Sequence, residues 1–201
     1  MNTQNSTITK LAETALMAAL CYVSFTFLQI KIPVPGGDAT SIHIGNAFCV
    51  LAALLIGGVY GGLSGAIGMG IADLMDPVYI TGAPKTFVLK FCIGLITGLV
   101  AHKIAKINES TDKKYVFKWS VIASVAGLAF NVVADPIVGY FYKQYILGQP
   151  QQMAEVLAKW SAAATFVNAI LSTIVVVIIY NALRPALAKS GMLEVGKTKE
   201  A

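Results

Sequence analysis

Long apolar runs alternate with short polar segments along most of the chain. An apolar run of about 20 residues is long enough to cross a bilayer as a helix. Four runs are unbroken, and a fifth apolar stretch is divided near residues 57–62 by paired glycines. The pattern predicts an all-α integral membrane protein with six transmembrane helices, over Leu11–Ile30, Ile44–Val59, Gly61–Met75, Pro84–Ile104, Val116–Phe141 and Ala158–Leu183.

The helix count depends on the glycine-rich break between the second and third predicted spans. That apolar stretch is too long for one ordinary span and short for two. Paired glycines permit a tight turn, which favours two helices and six spans in all. The alternative is one long helix, which gives five spans.

The six spans form a single transmembrane domain, residues 11–183. We expect the polar segments at residues 1–10 and 184–201 to be cytoplasmic tails. With six spans, ten of the fifteen Lys and Arg residues lie on the side of the two ends and five lie on the other. Since basic residues accumulate on the cytoplasmic side, this asymmetry predicts that both termini are cytoplasmic.

The composition supports a lipid-facing surface. Hydrophobic residues make up 56% of the chain and charged residues only 12%, against about 25% charged in a typical soluble domain. The net charge of +5 is explained by membrane orientation, and no basic-aromatic patch indicates nucleic-acid binding. The prediction is a multi-pass protein of the cytoplasmic membrane.

Polar side chains within the predicted spans gather at one side of the membrane. Burying such groups in a bilayer is costly, so their convergence indicates a polar pocket that opens outward. The inner halves of the spans are nearly bare of such groups, which predicts apolar packing beneath the pocket. The candidate ligand-binding residues are His43, Asn46, Asp73, Tyr79, Lys85, Thr86, Lys90, Asn131, Asp135, Thr165 and Asn168.

Structural interpretations of these residues remain open. Lys85 and Lys90 can extend to the headgroups, and Asn131 and Asn168 can join helices by hydrogen bonds. Asp73 is the hardest to explain without a ligand, because a carboxylate in an apolar run requires a partner. The loop at residues 31–41, with two prolines and two glycines, is either a gate over the pocket or a plain connector.

The motifs of several protein classes are absent from the sequence. It contains no G-x-x-x-x-G-K-[ST] phosphate-binding loop and no H-E-x-x-H or G-x-S-x-G motif, so an enzyme is not expected. The three cysteines have no CxxC or Cys/His partner, and we expect no disulfide, metal site or cofactor. Ala15 and Ala19 share one face of the first helix, and this small-residue face is suited to packing within the protein or to docking another membrane subunit.

The sequence resembles the substrate-binding S components of energy-coupling factor (ECF) vitamin transporters, in the riboflavin- and hydroxymethylpyrimidine-type group. The resemblance covers residues 11–183, and its most specific segments are IHIGN (42–46), AALLIGGVYGG (52–62), GIADL (70–74) and APKTFVLK (83–90). It implies six helices with both ends cytoplasmic and an outward-facing pocket roofed by the first and third external loops. It also implies that Ala15 and Ala19 dock a T component, with two ATPase subunits supplying the energy.

The expected function is therefore capture of a vitamin or vitamin precursor for an ATP-driven importer. Hydrogen-bonding groups of both signs suit a planar, polar heterocycle, with pyridoxine or hydroxymethylpyrimidine first. Riboflavin is second, because few aromatic residues are expected near the pocket. The alternatives are a self-sufficient secondary transporter or channel, and a structural membrane subunit without a ligand.

Overall fold

The computed structural model describes residues 3–34, 38–193 and 195–196. The ends of both predicted tails and the Pro35–Gly37 part of the predicted gate loop lie outside the described residues. Six α-helices and one two-stranded hairpin make up the described fold. Their bounds are α1 Thr3–Phe27, β1 Gln29–Val34, β2 Asp38–His43, α2 Gly45–Ile56, α3 Gly58–Met75, α4 Ala83–Gly98, α5 Lys113–Phe141 and α6 Gln151–Lys189.

The first helix is shorter than predicted at its C-terminal end. It stops at Phe27, and the segment that follows forms an antiparallel hairpin in which Gln29 pairs with His43 and Val34 with Asp38. Residues 30–34, with sequence IKIPV, alternate apolar and polar positions up to the proline, which suits a strand. The predicted span to Ile30 was therefore too long, and the hairpin was not predicted.

The break between α2 and α3 is sharper than predicted. It consists of Gly57 alone, whose φ of 97° lies in the left-handed region that favours glycine. The predicted bounds at Val59 and Gly61 were wrong, because the glycines after Gly57 are helical. They serve helix packing instead of turning the chain.

Close helix approach explains these helical glycines. A Cβ added to Gly94 of α4 would lie 2.2 Å from the backbone nitrogen of Gly62 in α3, and one added to Gly61 would lie 2.3 Å from the nitrogen of Ala53 in α2. Glycine lets the backbones meet at distances that any side chain would prevent. The α2–α3–α4 layer is therefore held at backbone contact.

Helices α5 and α6 extend beyond the predicted spans, whereas α4 with the π-helical turn that continues it matches the predicted span Pro84–Ile104 to within one residue. A π-helical turn, Leu99–Ile104, continues α4, and another, Tyr142–Ile146, continues α5. Helix α6 has 39 residues, so it begins before Ala158 and ends after Leu183. The apolar runs mark only the lipid-facing parts, and the polar ends continue as helix.

Four helical segments are long and apolar enough to cross a membrane: Thr7–Phe27, Ile80–Ile104, Lys113–Ile146 and Gln151–Lys189. Helix α2 has only twelve residues, and nine of them are buried. The outer helices expose large apolar side chains such as Leu16, Phe166 and Ile178, as a lipid-facing surface requires. The number of crossings and the side of each terminus stay predictions.

Candidate functional site

A cavity with a volume of ≈ 150 Å³ lies at the hairpin end of the helix bundle. Its walls come from the hairpin, the α3–α4 connection and the adjacent parts of α3, α4, α5 and α6. The structure brings nine of the eleven predicted site residues together around it: His43, Asp73, Tyr79, Lys85, Thr86, Lys90, Asp135, Thr165 and Asn168.

The other two predicted residues, Asn46 and Asn131, do not line this cavity. Both are almost fully buried, and the amide oxygen of each has no hydrogen-bond partner among the described residues. They lie within the helix packing, on α2 and α5. Their assignment as ligand contacts stays a prediction.

An ion pair between Lys85 and Asp135 connects α4 to α5 across the cavity wall. The Lys85 Nζ lies 2.9 Å from Asp135 Oδ1, and the Ser161 hydroxyl of α6 donates to the other oxygen of the same carboxylate. Lys85 is therefore a paired residue of the cavity wall and does not extend to the headgroups. Because both partners are largely buried, loss of either would leave an uncompensated charge.

Asn168 of α6 attaches the hairpin to the bundle. Its side-chain nitrogen donates to the Ser41 carbonyl, and its side-chain oxygen accepts from the His43 backbone N–H, each at 2.9 Å. The amide thus bonds to backbone groups on the edge of β2 that does not pair with β1. His43 Nδ1 accepts from the Gly45 N–H at 3.1 Å, and its ring meets Phe25 edge-on at 4.7 Å.

Two further ion pairs fix the hairpin above the cavity. Lys143, after α5, pairs with Asp38 in β2, and Lys31 of β1 pairs with Asp76 in the α3–α4 connection. The Lys31 ammonium also lies 5.3 Å from the centre of the Tyr79 ring. The hairpin therefore roofs the cavity and is held by side chains from three directions.

Partial burial acts to raise the pKa of Asp76, but hydrogen bonds from Lys31 and from the Val78 backbone N–H outweigh it. The pKa of Asp76 is consequently below its usual 3.8. The carboxylate is charged at neutral pH, so its ion pair with Lys31 is intact there.

Sequence reasoning missed several residues of the cavity wall. Asp38, Lys143 and Ser161 were not predicted as site residues, although each makes an ion pair or hydrogen bond at the cavity. Ser161 had a usable signal, because it lies one helical turn before Thr165 on the same face. The cavity also has more aromatic side chains than expected: Phe25, Tyr79, Tyr142 and Trp160.

The opposite end of the bundle is more polar than predicted. Ser120 and Ser124 of α5 are fully buried, and the Asn181 side chain donates to the Ser120 hydroxyl at 3.3 Å. Arg184 donates to the Ile107 carbonyl at 2.8 Å. These groups bond to neighbouring backbone and hydroxyl oxygens, so they close the bundle without requiring a ligand.

A family model described as "ECF-type riboflavin transporter, S component" matches residues 5–185 of the chain. The chain belongs to this family of S components. The resemblance noted in the sequence is confirmed. Proteins of the family are multi-pass proteins of the cytoplasmic membrane, and the four long apolar helices agree with that location.

Solved structures of S components share the fold. The structure titled "Native-SAD phasing for ThiT from Listeria monocytogenes serovar." superposes with a TM-score of 0.63 at 17% identity, over 94% of this chain and 99% of that one. A second structure, titled "Structure and mechanism of the S component of a bacterial ECF transporter", gives a TM-score of 0.60 at 19% identity, over 90% of this chain and 98% of that one.

A Pyrococcus woesei protein described as "Uncharacterized protein in gap 3'region" is 32% identical over 76 residues. The match covers 38% of this chain. The aligned part spans 49%, about half, of the length of that curated relative.

Proposed function

We propose that this S component captures a small planar vitamin or vitamin precursor outside the cell and delivers it inward with a T component and two ATPase subunits. The observation that carries the proposal is the roofed cavity, around which nine residues predicted from the sequence converge. Buried ionisable groups in a bilayer protein are costly and mark functional sites. The proposal places both termini in the cytoplasm and the hairpin outside, in agreement with the distribution of Lys and Arg.

The cavity volume favours a single-ring ligand. The ≈ 150 Å³ of this cavity equals the roughly 150 Å³ of an engineered protein cavity that binds benzene. Pyridoxine and hydroxymethylpyrimidine each have one six-membered ring, and they are the leading candidates. Riboflavin is the second candidate, supported by the description of the family and by the four aromatic residues in the wall.

The exposed face of α1 is the proposed docking surface for the T component. Ala15 and Ala19 are exposed, whereas Ala18 faces inward against Gly68 of α3. Leu16 and Val23 widen this face with exposed apolar side chains. Small residues in an apolar helix face permit close approach of a second membrane helix.

Titration of the purified protein in detergent with pyridoxine, hydroxymethylpyrimidine and riboflavin tests the proposal. We expect submicromolar binding of one of them, weakened by Asp135→Ala and by Asn168→Ala. Asn181→Ala is the matched control on α6, because its side chain bonds at the far end of the bundle, and it should bind normally. Normal binding by both cavity variants would show that the cavity is not the ligand site.

Uptake assays separate the proposal from a self-sufficient transporter. Liposomes that contain this chain alone should accumulate no vitamin, whereas addition of the T component, the ATPase subunits and ATP should start uptake. Accumulation by the chain alone would support the alternative.

A further inference from the structure

The cavity wall has equal numbers of basic and acidic side chains, but one of each forms no ion pair. Three are basic and three are acidic, and two ion pairs join Lys85 to Asp135 and Lys143 to Asp38. The remaining two charged residues of the wall are Lys90 and Asp73. They form no ion pair with each other or with any other described residue.

Lys90 points a cation into the cavity from α4. The residue is only 7% exposed, and its ammonium group makes no hydrogen bond to a described residue. An ammonium has three donors and no acceptor. Asp135 and Asp73 lie near enough to interact with its charge, but its donors have no acceptor among the described residues, and such burial is costly. Since Lys85 is already paired at 2.9 Å, Lys90 is the lysine available to a ligand.

Asp73 presents the complementary group from α3. The residue is 3% exposed, and its Oδ1 has no hydrogen-bond partner among the described residues. Thr86 lies beside the carboxylate but leaves this oxygen available. A ligand that satisfies Asp73 must offer a hydrogen-bond donor, because an ionised carboxylate only accepts.

We infer that the ligand is a dipolar nitrogen heterocycle of the 3-hydroxypyridine class, bound with its ring oxygen toward Lys90 and its ring N–H toward Asp73. In such a ring the phenol proton moves to the ring nitrogen, which gives a phenolate oxygen and a pyridinium N–H on one small plane. In enzymes that use pyridoxal phosphate, an aspartate is one of the two side chains that commonly partner the pyridinium nitrogen. The inference rests on the proposed function and names the substrate class within it.

The ligand itself supplies the first test. Wild-type protein should bind pyridoxine about 10- to 100-fold more tightly than the analogue without the 3-hydroxyl group, since hydrogen bonds to charged groups contribute about 1.5–3 kcal/mol. Lys90→Met and Asp73→Asn should each weaken pyridoxine binding by a similar factor. Lys90→Arg, which keeps the charge, should retain most of the affinity.

A second measurement separates a ligand contact from a folding effect. Lys90→Met and the wild type should bind the analogue without the 3-hydroxyl group with equal affinity. That analogue lacks the oxygen with which Lys90 interacts, so removal of the lysine costs it nothing. The ultraviolet spectrum of bound pyridoxine should show the zwitterion in the wild type and the uncharged form in Lys90→Met. Lys103→Met, an exposed lysine near the other end of α4, is the control and should match the wild type.

The inference is overturned if Lys90→Met binds pyridoxine with wild-type affinity. It is also overturned if removal of the 3-hydroxyl group from the ligand lowers the affinity of Lys90→Met and of the wild type by the same factor. Tight binding of riboflavin with no binding of pyridoxine overturns the inference and leaves the proposed function standing. Failure of every vitamin in the panel to bind overturns both.

Discussion

Replacement of Gly94 by alanine tests the backbone contact between α3 and α4. The added Cβ would lie 2.2 Å from the Gly62 nitrogen and 2.3 Å from its Cα, so the helices must separate by about 1.2 Å to restore the 3.4 Å of ordinary contact. Backbone atoms cannot move aside as a flexible side chain does. Gly94 lies one turn from Lys90, so the separation extends into the wall of the cavity.

Overpacking of this kind costs about 1–3 kcal/mol. For a chain of this size each kcal/mol lowers the apparent Tm by roughly 2–4 °C, so Gly94→Ala should lower it by roughly 2–12 °C and should also weaken vitamin binding. Fluorescence-detected thermal unfolding in detergent measures the first effect, and ligand titration measures the second.

Gly70→Ala is the matched control in the same helix pair. Its Cβ would meet a Phe87 ring carbon at 3.6 Å, which is ordinary contact, and alanine has the higher helix propensity. The apparent Tm of Gly70→Ala should be unchanged or slightly higher. Equal Tm values for the two variants would refute the argument that backbone contact at Gly94 holds the layer together.

Three further predictions concern the polar contacts around the cavity. Asp135→Ala should destabilise the protein by about 3–5 kcal/mol because it leaves a buried charge on Lys85. Thermal unfolding should show that the double variant with Lys85→Met recovers part of the lost stability. If the double variant is no more stable, the unpaired charge is not the cause. Asn168→Ala removes two hydrogen bonds to β2, which together are worth about 1–3 kcal/mol. Amide hydrogen exchange should therefore accelerate in β2 and not in α2. Unchanged exchange in β2 would show that Asn168 does not hold the hairpin in place. Because the pKa of Asp76 is lowered in the fold, its ion pair with Lys31 contributes stability above about pH 4 that is lost as the pH falls below 3.8. The Tm difference between wild type and Asp76→Asn should therefore be constant from about pH 5 to 8 and shrink in acid. A Tm difference independent of pH would contradict the pairing.

The helices were predictable because a helix that faces the hydrocarbon region of a bilayer needs a long apolar run, which is visible in the sequence. The cost of burying charge also made Asp73 and Asp135 recognisable as site residues from their positions in apolar runs. Helix ends were less predictable, since α6 continues as helix through polar residues beyond both predicted bounds.

The roof of the cavity was harder to predict, for two physical reasons. The β1–β2 hairpin lies in a short segment where a proline interrupts the alternation, so the strand signal is weak. Lys143 lies within the π-helical turn Tyr142–Ile146, where side chains depart from α-helical spacing. Its pairing with Asp38 across 105 positions has no local signature.

The shortness of α2 has a consequence for how the protein is made. Twelve residues of helix extend only about 18 Å, well under the roughly 30 Å thickness of the hydrocarbon region. Such a segment is too short to be stable in lipid by itself. Since nine of its residues are buried by neighbouring helices and Gly57 alone separates it from α3, we expect α2 to become stable only after α3 has been synthesised and packs against it.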